Sequence, residues 1–117
     1  MEIFNNILTD RGSKYGVSGC SVRSRAEAVA VLKSLKKDKK FAKATHNTWA
    51  VILSEGGPLK NDDGESGAGR TILQMLERAE LSDHIIIVTR WYGGVNLGGD
   101  RFRRVQDAVR YYLAHKK

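Results

Sequence analysis

Ile85-Ile86-Ile87-Val88-Thr89-Arg90-Trp91-Tyr92-Gly93-Gly94 runs from an unbroken apolar segment into a cation, two aromatic rings and a diglycine. Four consecutive β-branched residues read as a strand buried on both sides, because a half-exposed strand would alternate apolar with polar positions. The chain therefore sends Arg90, Trp91 and Tyr92 out of the middle of a sheet onto a loop. Trp and Tyr each combine a large apolar surface with a polar handle, which suits a packed corner and a contact surface equally. The paired glycines, Gly93-Gly94 and then Gly98-Gly99, imply backbone passing close to a neighbour.

Outward from that strand, the remaining elements follow from period and punctuation. Ser24 and Glu27 have capping-box spacing, and Ala28, Val31, Leu32 and Leu35 share one face, so a helix is expected over Arg25 to Lys37. Lys14 to Val22 reads as a strand weakened by Gly16 and Gly19, with Ile3 to Leu8 pairing as its edge. Trp49, Val51 and Leu53 alternate in a strand over Asn47 to Leu53, and Ser54 to Asn61, with the only Pro, reads as a surface loop. A helix is expected from Arg70 to Ala79, starting near Gly69. A last helix starts with Asp100 as N-cap and carries Phe102, Val105, Val109 and Tyr112 along one stripe. This order predicts an α+β, two-layer fold: a mixed β-sheet with helices packed mainly on one face.

Composition narrows the class. The 117 residues are 41% hydrophobic, enough for one domain, 1–117, with a core of its own. The lone Cys20 excludes an internal disulfide and a Cys-based zinc cluster, which fits a reducing compartment and an expected cytoplasmic location. No stretch reaches membrane-spanning length, and Met1-Glu2-Ile3-Phe4 has neither a basic lead nor a signal-peptide core. Twenty Lys and Arg against thirteen Asp and Glu give a net charge of +7, which attracts RNA, anionic membrane or an acidic protein. Lys33, Lys36, Lys37, Lys39, Lys40 and Lys43 form a basic run, read either as a solvated helix end or, with Arg103 and Arg104, as an RNA-binding set.

The loop from Gly93 to Gly99 lies between strand and helix, where phosphates often bind. Its Gly-Gly-Val-Asn-Leu-Gly-Gly spacing matches neither the dinucleotide fingerprint nor the P-loop, and Asp100 as N-cap would hold the free N–H groups. No cofactor is expected. Arg101, Arg103 and Arg104 crowd a helix start where the dipole disfavours cations. Either they pair with the acidic island Asp62-Asp63-Gly64-Glu65, or they meet an acidic protein or RNA. That island lacks the ligand ladder of a calcium loop and reads as a polar turn. His46 beside carboxylates invites an acid–base reading, against which stands a histidine hydrogen-bonded into a turn. His84 and His115 have no metal-ligand spacing, and no metal is expected. Ser13 and Ser66 have no triad context.

Four ordered stretches together resemble the IMPACT family. They are Leu8-Thr9-Asp10-Arg11 with Ser13; Ala44-Thr45-His46-Asn47 with Ala50; Asp62-Asp63-Gly64-Glu65 with Gly69-Arg70; and Arg90-Trp91-Tyr92-Gly93-Gly94 with Leu97-Gly98 and Asp100-Arg101-Phe102. Asn47 and Trp91-Tyr92, with Asp100-Arg101-Phe102, are closer to the eukaryotic than to the bacterial branch. Gly99 stands where the eukaryotic pattern has Pro, and the segment from Glu65 to Arg70 reads as one residue shorter. The resemblance implies a domain similar to the second domain of a small-subunit ribosomal protein and to a domain of elongation factor G. It also implies translational control during amino-acid starvation, by competing for the ribosome-associated activator of the kinase that phosphorylates initiation factor 2, and binding to actin. Eukaryotic members add an N-terminal RWD domain and bacterial ones a C-terminal ferredoxin-like domain, neither of which these residues include.

The expected function is thus a non-catalytic interaction domain, acting as a translational regulator by protein contact, at the ribosome in one version. Asp10, Arg11, Ser13, His46, Asn47, Asp62, Asp63, Glu65, Arg70, Arg90, Trp91, Tyr92, Gly93, Gly94, Asp100 and Arg101 are the expected functional face. In it Arg90 and Arg70 offer planar donors, the carboxylates hold them or meet a basic partner, and Trp91 and Tyr92 supply apolar contact. Arg90→Ala is expected to lose the partner with the fold intact. Two other readings remain open: a ribosome-associated or RNA-binding domain, and a hydrolase-like enzyme using His46 with a carboxylate.

Overall fold

A computed structural model describes residues 1–117. In chain order its elements are β1 (Glu2–Asp10), β2 (Ser13–Ser21), α1 (Arg25–Leu35), α2 (Lys39–Ala42), β3 (His46–Leu53), β4 (Gly57–Asn61), α3 (Ala68–Arg78), β5 (His84–Trp91) and α4 (Asp100–His115). The strands form one sheet in the order β1-β2-β5-β3-β4, so the apolar run does occupy the centre. Its side chains alternate between two cores. Ile86 and Val88 join Tyr15, Val17 and Ala50 beneath α3 and α4, whereas Ile85 and Ile87 join Trp49 and Val51 beneath α1 and α2. Burying each Ile or Val is worth about 1.5–3 kcal/mol, which is why the run has no polar interruption.

The α+β class and the main helical layer of α3 and α4 are as expected. A mixed sheet was expected, but every pairing is antiparallel. The reason is that β5 inserts between β2 and β3, and β3 between β4 and β5, so the strands that each helix connects are parallel without touching. The opposite face is also covered, more lightly, by α1 and α2. The two crossovers step in opposite directions between strands of opposite sense. Crossovers of one hand would therefore place their helices on one face. Their helices lie on opposite faces, so one crossover is left-handed, against the strong right-handed preference.

Three local expectations change. Ser54 to Asn61 is a hairpin rather than a loop: β4 pairs with β3 and carries Pro58 on the sheet edge, where a missing N–H is harmless. The lysine run is broken by α2, whose Phe41 is buried and whose N-cap Asp38 accepts from Lys40 N. Asp100 is not the N-cap of α4; Gly99 is, without a side-chain cap, and the Asp100 carboxylate turns to Arg11. At α1 the predicted cap is present, with Ser24 Oγ accepting from Glu27 N at 3.1 Å. No helix is long and apolar enough to cross a membrane.

Candidate functional site

Strand register builds the site. His46 on β3 and Tyr15 on β2 both lie opposite Arg90 on β5, so one row crosses three strands on the α3/α4 face. Arg90 is only 6% exposed. Its Nη1 donates to Glu65 Oε1 at 2.8 Å, while Nε and Nη2 donate to Ser13 Oγ at 3.3 and 3.2 Å. Glu65, 4% exposed, reaches His46 Nε2 with its other oxygen at 2.9 Å. His46 Nδ1 donates to Asp63 O at 2.8 Å, so both ring nitrogens are held within the protein. A buried ion pair of this kind is tolerated because all three Arg90 nitrogens and both Glu65 oxygens have partners. Tyr15 packs beside Arg90 fully buried, and burial pushes its hydroxyl up to about 12.

The turn from β4 to α3 holds Glu65 in place. Asp62 accepts from Gly67 N at 3.0 Å and Gly69 N at 2.8 Å, capping α3 from a distance. Burial alone would raise the Asp62 carboxyl, but these two N–H donors and the field of Lys60 outweigh it, and it lies below the usual carboxylate value. Asp63 Oδ2 accepts from Asn47 N, and Thr48 Oγ1 donates to Asp62 O, which pins the turn to β3.

On the other side, Gly93 lies against the β1–β2 turn. A Cβ there would stand 2.0 Å from the carbonyl carbon of Gly12, so the diglycine marks a backbone crossing, as its spacing suggested. Gly93 N donates to Ser13 Oγ at 3.3 Å and Tyr92 N to Thr45 Oγ1 at 2.9 Å, closing the corner. Arg11 bridges Asp10 and Asp100, and Arg104 reaches Asp10 as well, fastening that turn to α4.

Between these parts opens a cavity of about 560 Å³ whose lining includes His46, Glu65, Ser66, Arg90, Tyr92 and Arg101. The expected face therefore converges in part. Ser13 belongs to it as the buried brace behind Arg90. Asp10, Arg11 and Asp100 stand beside it as an ion-pair clasp, and Gly93 and Gly94 form the corner. Four expectations fail geometrically. Trp91 points to the opposite face, where it packs on Phe41 at 5.4 Å and donates Nε1–H to Lys40 O at 2.9 Å, because neighbours along a strand alternate. Asn47 likewise faces away, its side chain buried between Phe41 O and Thr89 Oγ1. Arg70 is exposed and makes no ion pair with the island. Arg103 and Arg104 pair with Asp100, Asp10 and Asp107 rather than with Asp62, Asp63 or Glu65. The basic set also separates. Lys33, Lys36, Lys37, Lys39 and Lys40 belong to the α1/α2 side of the sheet, and Arg103 and Arg104 to α4 on the other side.

Sequence reasoning passed over Ser66, Asn96, Leu97 and Gly98 as cavity residues. Only Leu97 and Gly98 had a signal, as part of the fourth motif. Arg101 donates to Ser66 O at 3.2 Å and stacks over Phe102 at 4.7 Å. No group of three His, Cys, Asp or Glu side chains is placed to hold a metal ion.

With that geometry in view, the model of the Impact N-terminal domain family matches residues 11–113. A protein IMPACT homolog of Caenorhabditis elegans is 36% identical over 115 residues, 92% of this chain and 45% of that protein. The homolog of Saccharomyces cerevisiae is 34% identical over 108 residues, 88% of this chain and 42% of that one. The chain thus spans less than half the length of these relatives. Among solved structures, one described as a hypothetical protein superposes with a TM-score of 0.84 at 21% identity, covering 97% of this chain and 57% of its own, which shows the fold. The two-domain translational regulator Yih1 superposes with a TM-score of 0.56 at 33% identity, covering 92% of this chain and 43% of its own.

Proposed function

The chain belongs to the Impact N-terminal domain family, and we propose that it works as a non-catalytic protein-interaction domain in translational regulation. The observation that carries this reading is the cavity rim. Tyr92, 46% exposed, lines the cavity beside a buried, hydrogen-bonded His46–Glu65–Arg90 row, an arrangement suited to a preformed contact surface. The relationship to IMPACT proteins and to the translational regulator Yih1 supports the same class. The finer version is capture of the ribosome-associated activator of the starvation kinase that phosphorylates initiation factor 2, with actin as a further partner. Both are carried over from the family resemblance.

A hydrolase-like chemistry fits the row poorly. A general base needs a free lone pair facing substrate, and both nitrogens of His46 face acceptors inside the protein. Ser13 Oγ is buried behind Arg90, away from His46. RNA binding is the second reading, favoured by the net charge of +7.

Affinity capture of the activator from starved-cell extract, with and without nuclease, tests the proposal. Capture should survive nuclease and fall roughly tenfold or more with Tyr92→Ala. Arg90→Ala is no longer the apt variant, because Arg90 is buried and its loss would strand Glu65. Capture abolished by nuclease would favour RNA.

A further inference from the structure

Three arginines crowd the first turn of α4, and two have carboxylate partners: Arg103 pairs with Asp100, and Arg104 with Asp10 and Asp107. Arg101 has none. It sits against the unfavourable end of the helix dipole, its Nη2 donates only to a carbonyl, and its buried Nε reaches no acceptor in the protein. The contact with the Phe102 ring and the Ser66 bond hold its guanidinium beside the cavity it lines, with donors left over.

We propose that this cavity seats a single carboxylate side chain of an acidic protein segment, gripped by Arg101 and flanked by apolar contact with Tyr92. The proposal deepens the protein-contact reading above and rests on it for the identity of the partner. Charge selects the occupant. Arg90 and Arg101 make the lining positive, and because Arg90 spends its donors on Glu65 and Ser13, Arg101 brings the one guanidinium of the lining left without a carboxylate. A carboxylate balances that charge and matches a guanidinium fork. A free phosphate would leave the exposed Tyr92 ring uncovered, and a polyanion meets the buried Glu65 carboxylate. The lysines that would follow a nucleic-acid backbone lie across the sheet. The exposed ring of Tyr92 then covers an apolar neighbour of the acidic residue.

The test uses the purified chain, isotope-labelled for NMR and titrated with the blocked peptide acetyl-Gly-Leu-Glu-Leu-Gly-amide. The same peptide with Gln for Glu, inorganic phosphate and a uridine oligonucleotide form the other arms. The Glu peptide should shift the Arg101 Nε–H resonance and the Tyr92 and Gly98 amides saturably, with a dissociation constant of roughly 1 mM or tighter. The Gln peptide and the Arg101→Gln variant should each bind at least about tenfold more weakly, the variant keeping wild-type chemical-shift dispersion. Equal binding of the Glu and Gln peptides, no saturation with Glu, an unaffected Arg101→Gln, or tighter binding of phosphate or oligonucleotide would each overturn the proposal. A failed titration alongside Tyr92-dependent capture condemns the carboxylate seat and spares the contact face. A successful titration alongside failed capture does the reverse.

Discussion

Both oxygens of Glu65 are committed, one to Arg90 and one to His46, inside a pocket wall that water barely reaches. Removing one member of such a pair leaves the other charged and unpaired, so Glu65→Ala should destabilise the fold by about 3–5 kcal/mol, read as a lower urea midpoint with unchanged slope. A midpoint shift no larger than a surface substitution gives would show that the ion pair is solvated. Gly93 is constrained by sterics instead: a Cβ 2.0 Å from Gly12 must move one of two backbones, and Gly93→Ala should cost about 2–3 kcal/mol. Gly99 is the contrast, with φ −66° and nothing within 4 Å of the place a Cβ would take; Gly99→Ala should stabilise by about 0.4–1 kcal/mol. The same urea titrations decide both, and equal losses at the two glycines would refute the steric account. Glycine spacing signalled a close approach, but the approaching turn, Gly12-Ser13, lies about eighty positions away in sequence, and no local pattern encodes that distance.

At the scale of elements, the latch between β5 and α4 gives the fold a pH dependence. His84, at the head of β5, holds Tyr112 of α4 with Nε2 2.6 Å from the hydroxyl. Burial, with Lys116 second, pulls the His84 ring below its ordinary 6.5, and burial pushes the Tyr112 hydroxyl up. A neutral ring can accept a hydrogen bond from the tyrosine hydroxyl at Nε2, consistent with that direction. The native ring binds a proton less readily than the unfolded one. Its contribution is therefore complete above pH 6.5 and lost as pH falls toward the lower native value. Asp62 and Asp83 are also depressed, but from 3.8, so they act only in stronger acid. Melting temperatures between pH 7.5 and 5 should fall more steeply for wild type than for His84→Leu; parallel curves would dismiss the latch. Elements with strong periodicity, α1, α3, α4 and β5, were legible because their own apolar faces define them. β4 and α2 were not, since Pro58 and a lysine run look like loop until tertiary pairing and the burial of Phe41 decide otherwise. The antiparallel sheet was hidden because strand insertion, and one crossover of the rarer hand, are properties of the assembled sheet rather than of any segment.

Across the whole molecule, the sheet separates two surfaces that one formal charge of +7 merges. On the α3/α4 side lie the His46–Glu65–Arg90 row, Tyr92 and Arg101; on the other lie the lysines of α1 and α2, with Trp91 packed onto α2. The family motifs brought most of the first surface together because they mark the turns that build it. They also drew in Trp91 and Asn47, whose neighbours in sequence face the cavity while they face away. If the motif side is the contact surface, its variants and those of the lysine side must behave differently toward one partner. The decisive measurement is the affinity of this chain for the ribosome-associated kinase activator, compared among wild type, Tyr92→Ala and the pair Lys39→Ala with Lys40→Ala, all exposed positions. The account predicts a loss of roughly tenfold or more for Tyr92→Ala and little change for the lysine pair; the opposite ranking would contradict it.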